Sequence, residues 1–202
     1  MFQHMSDKVR LLWIGVPALM VVATLVAMFY LNHEPEIYNP IARATLHAQE
    51  HGHQVVTGYT TTTTLIETVD TLLHKRGGYM SNDVMPPWVF LDNVPNWEYG
   101  ALVQIRDLAR AMRNDFSRSQ TQSTEDPDLA QAEPAFNFNH DSWMLPASER
   151  KYREGISHLQ AYLARLEDEN QSETQFYARA DNLREWLIVV EKRLGNLSQQ
   201  LS

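Results

Sequence analysis

The chain contains no cysteine. This absence removes disulfide bridges, thiolate zinc sites, iron–sulfur ligation and cysteine nucleophiles together. It leaves the compartment open, since a domain of this size is stable without disulfides. Blocks of Lys or Arg are also missing: 17 basic residues are scattered among 25 acidic ones, for a formal charge of -8. Nucleic-acid affinity comes largely from neutralised phosphates, so neither DNA nor RNA is an expected partner. Ser117, Ser119 and Ser123 have no His base nearby in sequence, which leaves no hydrolase triad. What remains is a chain of 202 residues, 44% hydrophobic, sufficient for one ordinary globular domain and cramped for two.

One segment stands apart. From Leu11 to Leu31 the sequence LLWIGVPALMVVATLVAMFYL carries no charge. At 1.5 Å per residue it makes roughly 31 Å of helix, enough to cross a hydrocarbon core of about 30 Å. Trp13 and Tyr30 lie near its ends, where amphipathic rings favour the headgroup region, and Pro17 is tolerable inside a spanning helix. A cleaved secretory signal has a shorter apolar region and a small-x-small site, and MFYLNHEPE offers none, so an uncleaved anchor is predicted. Lys8 and Arg10 precede the span, whereas Arg43 is the only basic residue in the twenty that follow Leu31, apart from His. The positive-inside bias then places residues 1–10 in the cytoplasm and the rest outside it. In a bacterium this means the inner membrane and the periplasm.

Beyond the anchor the reading is a linker over 32–53 and an α-helical extracytoplasmic domain over 54–202. Pro35 and Pro40 interrupt the linker. The Thr-rich run to Leu65 reads either as a strand or as a reluctant helix start. Leu65, Ile66, Val69, Leu72 and Leu73 then follow a helical stripe that Gly77 and Gly78 stop. After a Pro-rich stretch, Asn96 is a favourable N-cap, and Leu102, Ile105, Ala109, Met112 and Phe116 repeat at helical spacing. Residues 117–147 form a long connection. In it Asp126 and Pro127 start a short turn that Pro134 closes, and Phe136, Phe138 and Trp143 favour an ordered wrap over the bundle. Ser148 can cap the helix of Tyr152, Ile156, Leu159, Leu163 and Leu166. The final stripe, Phe176, Ala180, Leu183, Leu187, Val190, Leu194, Leu197 and Leu201, alternates steps of 4 and 3 and has a period of 3.5 residues. This face demands cover, from the bundle itself or through self-association over 176–201. The stripe meets no Gly, Asn or Pro after Leu201, as expected of a piece of a longer protein.

The stretch GGYMSNDVMPPWVFLDNVPNWEYGALVQIRDLARAMRNDFSRSQTQSTEDPDLAQAEPAFNFNHDSW at 77–143, together with QFYARADNLREWL at 175–187, resembles an uncharacterised bacterial membrane-anchored family, domain of unknown function 2333. The resemblance implies an inner-membrane helix, a mostly helical extracytoplasmic region and continuation past Leu201. It carries no established activity, ligand or functional residue. Trp88 stands where the family pattern leads one to expect a small residue.

Several constellations invite chemistry. HAQEH at 47–51 fits a pattern in which His47 and His51 bind zinc while Glu50 acts as general base, with His53 as a further ligand. Gly52 would end the helix at once and no downstream Glu ligand is identifiable, so no metal site is assigned and no cofactor is named. Asp83, Asp92, Glu98 and Asp107 are the carboxylates nearest an aromatic, Pro-rich loop, where a pair of them could do acid–base work, although turn-forming roles are common for residues placed like Asp83 and Asp92. Tyr79, Trp88, Phe90, Trp97 and Tyr99 could line a groove for a peptide or glycan, or form a core lid. Arg106, Arg110 and Arg113 form a salt-bridged face or a grip for an anion. The expectation is a mainly α, single-pass membrane protein that serves as a scaffold or protein-interaction module. The alternative is an envelope hydrolase or a glycan or peptide binder using 79–99, with Asp83, Trp88, Asp92, Trp97 and Glu98 as its binding residues.

Overall fold

A computed structural model describes residues 7–119, 124–168, 170–171 and 173–201. Among them are seven α-helices and no strand: α1 (Asp7–Leu31), α2 (Pro40–His51), α3 (Tyr59–His74), α4 (Asn93–Ala111), α5 (Leu129–Phe136), α6 (Ser148–Glu167) and α7 (Ala180–Gln200). α1 contains an apolar segment, Leu12–Leu31, long and apolar enough to cross a membrane and exposed along most of its length. The remaining helices form a bundle around α3.

The Thr-rich run is the start of α3, which resolves the strand-or-helix alternative. Threonine hydroxyls that compete with the helix in solution instead bond back to carbonyls four residues earlier: Thr62 to Gly58 (3.0 Å), Thr64 to Thr60 (2.7 Å) and Thr68 to Thr64 (2.7 Å). Gly58, at φ 91°, supplies the left-handed turn before the first residue. Tyr59, Thr62, Thr63, Leu65, Ile66, Val69, Leu72 and Leu73 are all buried. So broad a covered face fits a helix touched by α2, α4 and α6.

Four sequence expectations are corrected. The 32–53 linker contains α2, capped by Asn39, whose Oδ1 accepts from the Ile41 and Ala42 N–H groups (3.0 and 3.2 Å), and closed by Gly52 at φ 70°. Its contact with α3 is made through Ala44 and Ala48, small residues that leave little periodic signal. α4 begins at Asn93 rather than Asn96: Pro95 lies in the first turn, where no intrahelical donor is required. Asp126 does cap the next turn, accepting from the Asp128 and Leu129 N–H groups (3.0 and 3.2 Å), but Pro134 does not end α5. The helix continues through it to bury Phe136 completely against Gly155, where a Cβ would strike the Phe136 ring. Ser148 is the first residue of α6 and not its cap; its hydroxyl bonds the carbonyls of Asn139 (2.7 Å) and Ser142 (3.1 Å).

The long connection does wrap over the bundle through Phe136 and Phe138, whereas Trp143 faces solvent. α7 starts at Ala180, not at Phe176. Phe176 belongs to the extended segment before it, stacked on Phe116 with ring centroids 4.9 Å apart. The intramolecular cover expected for the α7 stripe is largely missing: Leu183, Leu187, Leu194 and Leu197 are all at least 46% exposed.

Candidate functional site

The loop between α3 and α4 was the sequence-level candidate, and its centre is Glu98. This carboxylate is fully buried. It pairs with the Lys75 ammonium and accepts from the backbone N–H of Met80 (2.9 and 3.1 Å to its two oxygens), the N–H of Ser81 (2.8 Å) and the Ser81 hydroxyl (2.5 Å). Burial pulls the Lys75 ammonium below its ordinary range while Glu98 opposes that shift. A carboxylate so engaged has no surface left for a substrate, and its role is to hold residues 78–81 against α4. Glu98 thus organises the turn, with partners from 17 to 23 residues earlier in the chain.

The other loop candidates are dispersed. Asp83 is exposed, its N–H closing a turn onto Met80 O (3.0 Å). Its carboxyl lies above the ordinary range because of partial burial, then the charges of Glu149 and Glu98. Asp92 precedes α4 and makes no side-chain cap bond. Trp97 is 39% exposed. Trp88 is half-buried and packs on a separate small core of Leu31, Met80 and Val94. A shallow depression of about 280 Å³ is lined by Ser81, Pro95, Asn96, Tyr99 and His140, with the Tyr99 and His140 rings 5.0 Å apart. Tyr79 is buried edge-on to Tyr152; thus the aromatics divide between lid and surface.

The HAQEH histidines meet in a corner built from α2, α3 and the end of α6. His47 Nδ1 lies 2.8 Å from the Tyr59 hydroxyl and His53 Nδ1 3.2 Å from it, while His53 Nε2 faces Glu167 at 3.0 Å. With both rings neutral, every partner is satisfied in one direction: His47 donates to Tyr59, Tyr59 to His53, and His53 to Glu167. Burial and the Glu167 charge push the Tyr59 phenol up to about 12. His51 stacks on His47, centroids 4.3 Å apart and planes 20° apart, and its Nδ1 is taken by the His47 carbonyl (2.9 Å). Near-parallel rings do not aim their lone pairs at one ion. The described residues contain no group of three or more His, Asp or Glu side chains placed to hold a metal, and Glu50 is not drawn into the corner's bonds. Through His47 the HAQEH segment joins a hydrogen-bonded clasp with Tyr59, His53 and Glu167.

The arginine series divides as well. Arg106 donates to the carbonyls of Phe136 and Phe138 (both 2.8 Å), tying down the long connection, while Arg113 pairs with Glu125 and Glu133 (2.6 Å each). Arg110 approaches Glu133 at 3.6 Å. Ser117 bonds back to Arg113 O (3.0 Å), and Ser123 lies outside the described residues.

Across 5–202 the chain matches the model of DUF2333, described as an uncharacterized protein conserved in bacteria. The chain belongs to this family. No curated protein and no solved structure matches it.

A further apolar surface of this DUF2333 chain lies on α7. One face of α7 docks on α4 and the turn after it: Asn182 Nδ2 donates to Asp115 O (2.7 Å), just beyond α4, Trp186 is half-buried, and Arg193 pairs with Asp107 of α4 (2.6 Å). The leucine face is displaced by one residue, about 100° around the helix, and therefore looks outward. Its upper part forms an open apolar trough lined by Ala180, Leu183, Leu187 and Ile188 between Arg184 and Glu191. Sequence reasoning found the stripe but missed Asn182, Trp186 and Arg193, which decide the face that α7 turns inward. A second missed feature is Gly77, at φ 84°, where a Cβ would overlap Leu31 and Met80. It had been read only as a helix stop.

Proposed function

We propose that this protein is a membrane-anchored interaction module of the bacterial inner membrane, with its bundle in the periplasm, and that the leucine face of α7 pairs with the same face of a second copy. The observation that carries this reading is the bare α7 stripe. Its support is internal symmetry. From Ala180 to Leu197 the steps are 3, 4, 3, 4 and 3, the same in both directions. An antiparallel pair about a two-fold axis sets Ala180 opposite Leu197, Leu183 opposite Leu194 and Leu187 opposite Val190. The same register brings Arg184 of each copy to Glu191 of the other, as a self-complementary interface requires. A parallel pair would instead bring Arg179 near Arg184 of its partner. Confinement to one membrane raises the effective concentration of the two copies. Placement of the bundle outside the cytoplasm is supported by Lys8 and Arg10 ahead of the span.

Because the native chain has no cysteine, disulfide trapping in membranes is a clean test. The full-length L183C/L194C variant is expected to give a covalent dimer in several-fold higher yield than K192C, whose residue lies on the opposite side of α7. Equal yields would refute self-pairing.

A further inference from the structure

The segment 84–91, VMPPWVFL, contains no charge and runs between Asp83 and Asp92. Four of its side chains, Val84, Met85, Val89 and Phe90, are 53–67% exposed. Their neighbours Trp88 and Leu91 turn the other way and pack on Leu31, Met80 and Val94. Leu31 is the last residue of the apolar helix α1, so the bare residues are held beside the end of the anchor.

Thr24, Ala27 and Met28 are partly shielded and share one helical face with the buried Leu31, while Met20, Ala23 and Phe29 are open. At 1.5 Å per residue, that partly shielded face reaches about 10 Å back along the span, comparable to the about 5–10 Å to which interfacial apolar groups enter a bilayer. The backbone suits that environment. Val89, Phe90 and Leu91 donate their N–H groups to Met85 O (3.2 Å), Pro87 O (3.0 Å) and Trp88 O (2.9 Å), and Pro86 and Pro87 have none to satisfy. At the same end of α1 the exposed Arg76 guanidinium lies 5.3 Å from the Tyr30 ring centroid, a cation and an aromatic ring at headgroup level.

We propose that residues 84–90 form a lipid-facing wedge: Val84, Met85, Val89 and Phe90 enter the headgroup–acyl boundary of the leaflet at the C-terminal end of α1. The occupant is the bilayer itself. The contact is apolar, flanked by two aspartates, and so insensitive to salt and to anionic lipid. Together with the Leu31–Gly77–Met80 junction it seats the bundle on the membrane instead of leaving it on a free stalk. This rests on α1 spanning the bilayer, which the experiment tests separately.

Full-length single-cysteine variants F90C, V89C, V21C and K192C, each carrying an environment-sensitive fluorophore, are reconstituted in phosphatidylethanolamine–phosphatidylglycerol vesicles containing lipids spin-labelled at shallow or deep positions. F90C and V89C are expected to show blue-shifted emission, quenched several-fold more by shallow than by deep labels and unchanged by salt, with V21C quenched by deep labels and K192C by neither. If F90C and V89C behave like K192C while V21C is quenched, the wedge is refuted and the anchor stands. Blue-shifted emission without lipid quenching at those two sites marks a protein contact and also refutes it. Failure of quenching at V21C overturns the spanning reading and the wedge with it.

Discussion

α6 and α7 carry stripes that look alike in sequence and meet opposite fates. In α6, Tyr152, Leu159 and Leu163 are sealed and Ile156 and Leu166 half-covered, because α3 lies on one side of the helix and α5 on the other. In α7 the leucines face water, while Asn182, Trp186 and Arg193, one position away on the helical wheel, make the attachment. Periodicity tells that a helix has a face needing cover. Which neighbour supplies it depends on where the chain places the next helix, and for α7 a few specific polar bonds to α4 outrank the apolar stripe.

The largest expected effect separates the two stripes directly. Leu159→Ala should cost about 2–5 kcal/mol, because a fully buried leucine leaves a cavity. Leu194→Ala, at a residue 61% exposed, should change monomer stability by no more than about 0.5 kcal/mol. Urea unfolding of the full-length protein in detergent micelles, at concentrations too low for pairing, measures both. Equal losses would mean that α7 is covered within one chain.

Glycines sharpen the contrast. Gly155 of α6 approaches Phe136 so closely that a Cβ has no room, and Gly155→Ala should destabilise by about 1–3 kcal/mol through overpacking. Gly195 of α7 has no atom near its Cβ position. Gly195→Ala should therefore raise the stability of the full-length protein by about 0.5–1 kcal/mol through the lower entropy of the unfolded chain, a change of opposite sign in the same titration.

The smallest effect concerns pH, at the corner where Glu167 closes α6. Burial first, then the neighbouring His51, lowers the His47 pKa, with Glu67 and Glu50 opposing and His53 adding to the shift. The unfolded chain binds this proton more readily than the folded one. His47 therefore contributes fully above its ordinary value of about 6.5, and the contribution is lost as pH falls below it. His47→Gln should flatten the fall in stability between about pH 7 and pH 5. The docking of α7 has no histidine in it, so the ratio of L183C/L194C to K192C cross-linking should be indifferent to the same pH change, the slower thiolate chemistry at low pH affecting both variants alike.

Much of the fold was legible. Leu102, Ile105, Ala109, Met112 and Phe116 are buried as their spacing requires, because one wall of α4 and of the helical turn that continues it to Phe116 meets the core. α2 was not legible as a packed helix, since two alanines carry its contact. The candidate site was less legible still. Glu98, Asp83 and Trp88 are neighbours in sequence, yet one serves Lys75 and the 80–81 turn, one a solvent-facing turn and one the end of α1. The partners of Glu98 lie 17 to 23 residues earlier, and Leu31, on which Trp88 packs, lies farther still, where local patterning has no reach.

Sequence alone was sufficient to establish an apolar helix of membrane-spanning length, a helical bundle after it and the periodic stripe over 176–201, although the helix that carries it starts only at Ala180, since each is a property of residue order on a single helix. Tertiary structure decided that the stripe is bare, that His47 of HAQEH joins a clasp with Tyr59, His53 and Glu167 and that the Pro-rich loop sits against the end of α1. The physical reason is the same in each case: burial and hydrogen-bond satisfaction are settled between elements. A side chain's role is therefore set by whatever the fold brings beside it.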